Sequence, residues 1–318
     1  MATQETQLLD EIIVNTRRKM ITLGGTALAG LAFAGATKAY AQTTAITDTD
    51  ILNFALNLEY LEAQFYTLAV SGVTIDKLTT PIPVAVNGGT AGAVTLKPSF
   101  AKVPFAMATI AAYAAETAIE EQKHVKFLQG ALSTKAVSMP AIDLYNSFNT
   151  LAVAAGVGAS FDPFANDANF LIGAYIFEDV GVSAYHGAAG LITDKTTILP
   201  AAVGIHAVEA YHAGLVRTTI NALDAGTGTL NLLTQKISAA RSSLANPTGS
   251  TATTYTGTKA DDIGLTTVQV ALNGSAGQYT SSTIVNCDSQ SLGWARTTTQ
   301  ILAITKPFFP SGLTGTIK

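Results

Sequence analysis

Residues 119–128 read IEEQKHVKFL, and residues 205–216 read IHAVEAYHAGLV. Each places a glutamate three residues before a histidine, Glu121 with His124 and Glu209 with His212, inside a long apolar stretch of a chain that has only four histidines. Residues three apart share one face of a helix, so each pair sets a carboxylate beside an imidazole. Alternating steps of three and four extend the first pair to Met107, Ile110, Ala114, Thr117, Glu121, His124 and Leu128. The second becomes Ala202, Ile205, Glu209, His212, Val216 and Thr219. Such stripes are the faces a helix bundle buries.

The same spacing gives Leu52, Ala55, Glu59, Glu62 and Tyr66 in one further segment, and Leu171, Ala174, Glu178, Gly181, Tyr185 and Ala188 in another. Helices are thus predicted from about Asp48 to Val70, Pro104 to Leu132, Asn166 to Leu191 and Pro200 to Leu223. All these stripes carry a carboxylate near the middle, and none carries lysine or arginine. A buried carboxylate without a partner costs several kcal/mol or takes up a proton, so a converging set calls for bound cations. After residue 41 the chain has seven glutamates, at 59, 62, 116, 120, 121, 178 and 209, all within the predicted helices. Chance would give two Glu-x-x-His pairs from such a composition roughly a few times in a thousand, which makes the doubled motif a signal. Tyr66 follows Glu59 by seven residues as Tyr185 follows Glu178, so the halves read as duplicated helical hairpins.

The pattern resembles the ferritin-like superfamily of two-metal carboxylate proteins, in which two helices each give a glutamate and two each give Glu-x-x-His. With LNLEYLEAQFY, EEQKH and the ending FFPSGLTG, the chain is similar to exported bacterial ferritin-like-domain proteins related to plant desiccation-related proteins. The resemblance implies an all-α ferritin-like four-helix bundle holding two Fe or two Mn ions. Glu121 and Glu209 would bridge them, His124 and His212 would be the terminal nitrogen ligands, and Glu59 and Glu178 the terminal oxygen ligands. Glu62, opposite Gly181 in the repeat, is either a fifth carboxylate ligand or a hydrogen-bond acceptor beside one. Tyr66 and Tyr185 are donors to the glutamates, redox relays or core packing. His186, His206, Glu116 and Glu120 fall off the stripes; the histidines are expected at the surface or between helices and the glutamates in solvent.

The rest of the chain sets the frame. Residues 1–41 read as a twin-arginine signal peptide, with Arg17-Arg18, a short glycine-rich apolar run and Ala39-Tyr40-Ala41 as a cleavage site, an uncleaved anchor being the alternative. Residues 42–224 form the expected bundle, with a long crossover between its second and third helices and a small β-hairpin insertion around Asn87-Gly88-Gly89. Residues 225–318, rich in Thr, Ser and Gly, are expected to be a mostly irregular extension packed on the bundle, since Trp294, Phe308 and Phe309 need cover. A net charge of -4 with no basic cluster beyond the N-terminus argues against nucleic acid. The single Cys287 forms no intrachain disulfide and is expected as a small buried hydrophobe.

These readings imply an exported, periplasmic or extracellular protein with no stable membrane span after signal cleavage. Its expected chemistry is redox reaction with O2 or peroxide, of ferroxidase, peroxidase or catalase-like type. The alternative is a non-catalytic stress or extracellular matrix structural protein whose metals are structural or lost, with homo-oligomer or matrix contacts through the extension.

Overall fold

α1 (Asp48–Ser71) begins where Thr47 and Asp50 satisfy each other's backbone amides in a capping box, and ends at Gly72, whose φ of 78° lets its N–H turn back to Leu68 O. The computed structural model describes residues 46–224, 226–246, 262–272 and 275–317; the leader read at residues 1–41 lies outside them. α2 (Ala108–Leu132), α3 (Asn146–Ala154), α4 (Asp167–Ala189) and α5 (Ile198–Asp224) follow. α1, α2, α4 and α5 are the bundle helices the stripes predict.

Side-chain contacts give the helix directions. Thr67 meets Gln122, Tyr60 meets Gln129 and Asn53 meets Lys135, so α1 and α2 are antiparallel. Tyr66 meets Glu178 and Tyr185 meets Glu59, so α1 and α4 are antiparallel as well. α2 and α4 therefore run the same way, which only a long crossover allows. Asp167 fastens their starts side by side, accepting the backbone N–H of Ala106 and Met107 at 3.1 and 2.9 Å.

The stripes are buried from Leu52 to Tyr66, Ile110 to Leu128, Leu171 to Tyr185 and Ala202 to Val216. Their ends drift outward: Met107 lies exposed just before α2, and Ile220 takes the inward place expected of Thr219. α2 and α5 are amphipathic, whereas α1 and α4 are buried on almost every side. A helix apolar all round needs cover all round. Loops and the C-terminal extension provide it.

The expected hairpin at residues 82–96 does not form. Asn87 and Gly88 turn the chain with φ of 52° and 75°, but the following β1 (Val94–Thr95) pairs in parallel with β2 (Ile142–Asp143) of the crossover. Gly92 N–H donates to Met139 O at 2.8 Å, and a Cβ on Gly92 would lie 2.1 Å from Ala141 N. The crossover offers this arm a closer backbone partner than the arm before the turn.

The extension is more regular than its composition suggests. It holds α6 (Thr229–Ala245), β3 (Thr267–Leu272) paired antiparallel with β4 (Ser275–Ser282), and α7 (Thr298–Thr305). Cys287 is half-buried rather than buried. Trp294 is half-buried, while Phe308 and Phe309 are buried, with Phe308 seated 4.9 Å from Phe177 and 5.2 Å from Phe148 between ring centroids. Among the described residues no helix is long and apolar enough to cross a membrane.

A buried ionic chain fastens the extension to α4 and α5. Asp179 accepts from Arg217 and from Arg241, each at 2.9 Å; Arg241 also meets Asp262, and Arg296 meets Asp262 at 3.0 Å. Burial opposes ionisation of Asp262, but the charges of Arg241 and Arg296 outweigh it and hold the carboxyl below its usual range. The Arg296 backbone lies so close to α4 that a Cβ on Gly187 would sit 1.9 Å from its carbonyl oxygen. Removing one partner of a buried ion pair typically costs about 3–5 kcal/mol because the other charge stays buried. Asp262→Ala is therefore expected to lose stability of that order in urea denaturation; a loss below about 1 kcal/mol, the range of an exposed pair, would show the network to be solvated.

Candidate metal centre

Glu59, Glu62, Glu121, His124, Glu178, Glu209 and His212 meet midway along the four bundle helices. Three overlapping groups each have ligand atoms within 4.8 Å of one another: Glu59, Glu121, His124 and Glu209; Glu121, Glu178 and His212; and Glu62, Glu178 and Glu209. Glu121 belongs to both histidine groups. Its Oε2 lies 3.3 Å from His124 Nδ1 and its Oε1 3.0 Å from His212 Nδ1. Glu209 connects the His124 group with the Glu62 group. His124 Nδ1 is also 3.1 Å from Glu59 Oε2, and His212 Nδ1 3.4 Å from Glu178 Oε2.

The tyrosines act across the repeat. Tyr66 donates its hydroxyl to Glu178 Oε1 and Tyr185 donates to Glu59 Oε1, so each hairpin fixes the other's carboxylate. Each bond leaves the glutamate's second oxygen turned toward a histidine. Burial first, and then the neighbouring carboxylates, push both phenols well above their ordinary range and keep them as O–H donors.

Gly181 accounts for the break in symmetry opposite Glu62. A Cβ there would lie 2.1 Å from Glu209 Oε2, so the Glu209 carboxylate occupies the space a side chain would need. Glu62 fills the corresponding place in the other half and joins Glu178 and Glu209 within ligand distance.

Glu120 differs from its expected solvated role. It is one-third exposed, yet its Oε2 lies 2.7 Å from His212 Nε2, the nitrogen facing away from the cluster. A carboxylate on the outer nitrogen of a ligating histidine fixes the ring and its tautomer. Nothing in the spacing of α2 shows this, because the partner is on α5. Glu116 is exposed as expected. His206 bonds Val182 O between α4 and α5, and His186 meets Trp294 O; the two rings lie 5.8 Å apart, away from the cluster.

The donor set passes a test for a metal. Both oxygens of Glu209 are buried without a hydrogen bond, and Glu121 Oε1 and Glu178 Oε2 share one nitrogen, His212 Nδ1, at 3.0 and 3.4 Å. Such atoms are costly in a core unless something meets them. Carboxylate and imidazole without sulfur suit Fe or Mn better than structural zinc.

Electrostatics show how far protons alone can balance the cluster. Burial opposes protonation of His124 and His212, but the charges of Glu59 and Glu178 and hydrogen bonds to Glu121 carry their pKa values up to about 10 and about 12. Burial raises Glu59 to about 7 against the pull of His124, and raises Glu178. Glu62 and Glu209 are pushed well up by burial and then by the other carboxylates, while the two histidines overcome burial at Glu121 and hold it at about 2. A cation arriving here replaces protons.

A bundle with this cluster at its middle has the frame of ferritin-like carboxylate proteins. The chain belongs to the ferritin-like domain family, which matches residues 47–222. It is also 33% identical over 178 residues to the desiccation-related protein PCC13-62 of Craterostigma plantagineum, over 55% of this chain and 53% of that protein. The chain thus spans about half the length of the curated relative it matches. No solved structure matches it.

Gly181→Ala adds one methyl where the Glu209 carboxylate lies, and should lower Mn(II) affinity about 10–100-fold, as changes beside ligands do, with helical circular dichroism unchanged. Unaltered affinity would show that Glu209 has another place to go. Displaced protons give a second check. Each proton released per ion makes affinity rise about tenfold per pH unit and fall toward acid by the same factor. Mn(II) titration in weakly buffered solution near neutrality should release at least one proton per ion, and a pH-independent affinity would contradict this charge balance.

Proposed function

We propose that this ferritin-like protein is exported and holds two Fe or two Mn ions that react with O2 or peroxide. The observation carrying the proposal is the convergence of five buried carboxylates and two imidazoles on one point, with Glu121 and Glu209 shared between ligand groups and both oxygens of Glu209 without a hydrogen bond. In this reading Glu59, Glu121, His124 and Glu209 would hold one ion and Glu121, Glu178, His212 and Glu209 the other, with Glu62 beside Glu178 and Glu209. Two M(II) ions would supply one electron each, so that H2O2 with two protons gives two waters.

The chain's own residues set the conditions for that exchange. Tyr66 and Tyr185 hold Glu178 and Glu59 in place, and Glu120 orients His212 from outside. Bulk water is kept from Glu59, Glu121 and Glu209, whose exposure is 0%. That burial also favours a second reading, in which the ions only staple the helices and the protein serves a structural role in stress. The name of the plant relative agrees with a stress context but assigns no reaction.

Three measurements test the reading. Purified protein should carry about two Fe or Mn per chain, with Glu121→Ala and His212→Ala reducing both content and melting temperature. Full occupancy in both variants would refute the ligand assignment. The Fe(II) form should be oxidised by H2O2 or O2 much faster than Fe(II) in buffer and Glu178→Gln should slow it, whereas the Mn form should evolve O2 from peroxide. Reaction no faster than the free metal would leave the structural reading. For export, replacing Arg17 and Arg18 by lysine should retain precursor in the cytoplasm; normal export of that variant would point to the general secretory route.

A further inference from the structure

A partly open crevice with about 10 Å³ of free space, room for one small molecule, reaches the cluster at Glu62 and Gly181. It is lined by Glu62 and Gly181 of the cluster, by residues such as Leu58 and Phe177, and by Ile304 and Thr305 of α7. Glu62 is the most exposed of the cluster's glutamates, at 5%. Gly181 brings this opening to the Glu209 carboxylate itself, which lies where the glycine's side chain would be.

We propose that this crevice admits a small neutral oxidant of the size of dioxygen or hydrogen peroxide to the metal site, and that α7 of the extension is its selecting wall. The inference rests on the function proposed above. Apolar walls make passage of a hydrated cation costly, since its shell would have to be stripped without replacement. They oppose a small neutral molecule far less. The oxidant's route is completed by residues outside the bundle, Ile304 and Thr305.

Ile304 and Thr305 are remote from the ligands in sequence and suit the test. Thr305 hydrogen-bonds only along its own helix, to Ile301 O, so Thr305→Leu fills the crevice and Thr305→Val controls for loss of the hydroxyl. Ile304→Ala widens the crevice. Xenon pressurised into metal-free crystals should occupy the crevice in the wild type and be displaced in Thr305→Leu. With the Fe(II)-loaded proteins, nitric oxide association followed by stopped-flow absorbance should slow at least about tenfold in Thr305→Leu, stay unchanged in Thr305→Val and quicken in Ile304→Ala, at equal iron content. Absence of xenon from the crevice, or equal association rates in the filled and widened variants, overturns the route. A protein whose nitric oxide rates follow the crevice but which reduces no peroxide refutes the proposed reaction and keeps the route. One that retains no iron overturns both.

Discussion

The fold is organised around the cost of placing five carboxylates and two imidazoles in the dry centre of a bundle. Each helix gives up its best packing positions to them, where leucine or isoleucine would stabilise the core by burial. Without lysine or arginine on those faces the remaining counter-charges are protons or metal ions, and protons leave buried oxygens with no partner. The tyrosine bridges, Gly181 and Glu120 all follow from holding such a cluster in one arrangement.

Glu178 and its neighbour Asp179 make the contrast within one helix. Asp179 faces the extension and is met by two arginines at 2.9 Å. Glu178 faces the bundle centre and is met by a tyrosine at one oxygen and by a histidine at the other, with no fixed cation. The chain thus uses arginine where a permanent ionic fastening suffices, and withholds it one residue away. A buried guanidinium would satisfy the cluster and occupy the space a metal needs. Its absence from the centre is a property of the site, not of the helix.

The four bundle helices and the inward direction of the cluster were legible because charge set into an apolar 3.6-residue period is costly to bury and so marks a face with a task. Other elements were not, for physical reasons. α6 buries Thr234, Ser238, Arg241 and Ser242, a polar stripe that carries no hydrophobic signal and makes sense only against Asp179 and Asp262. Asp179 itself was hidden because α4 is buried on nearly every side, so no single stripe marks its contacts. The valines around Asn87 read as hairpin arms because turn chemistry is local, whereas the strand's true partner lies almost fifty residues on. Glu120 shows the same limit: helical spacing tells which residues share a face, not which neighbouring helix stands beside it.

The extension joins these observations. α1 and α4 cannot be left bare, and the Asn57 side chain on α1 shows how closely the tail is fitted to them, donating to Thr314 O at 2.8 Å and accepting from the Thr314 hydroxyl at 2.9 Å. Cover over those two helices also covers the side on which Glu62 and Gly181 break the internal symmetry. In a perfectly duplicated bundle both positions would carry the same side chain. Here one adds a carboxylate and the other makes room for Glu209, and both line the crevice that α7 also lines. A segment laid over that crevice becomes part of the site's boundary whatever selected it first. The need to cover α1 and α4 and the shape of the approach to the cluster are therefore consequences of the same packing.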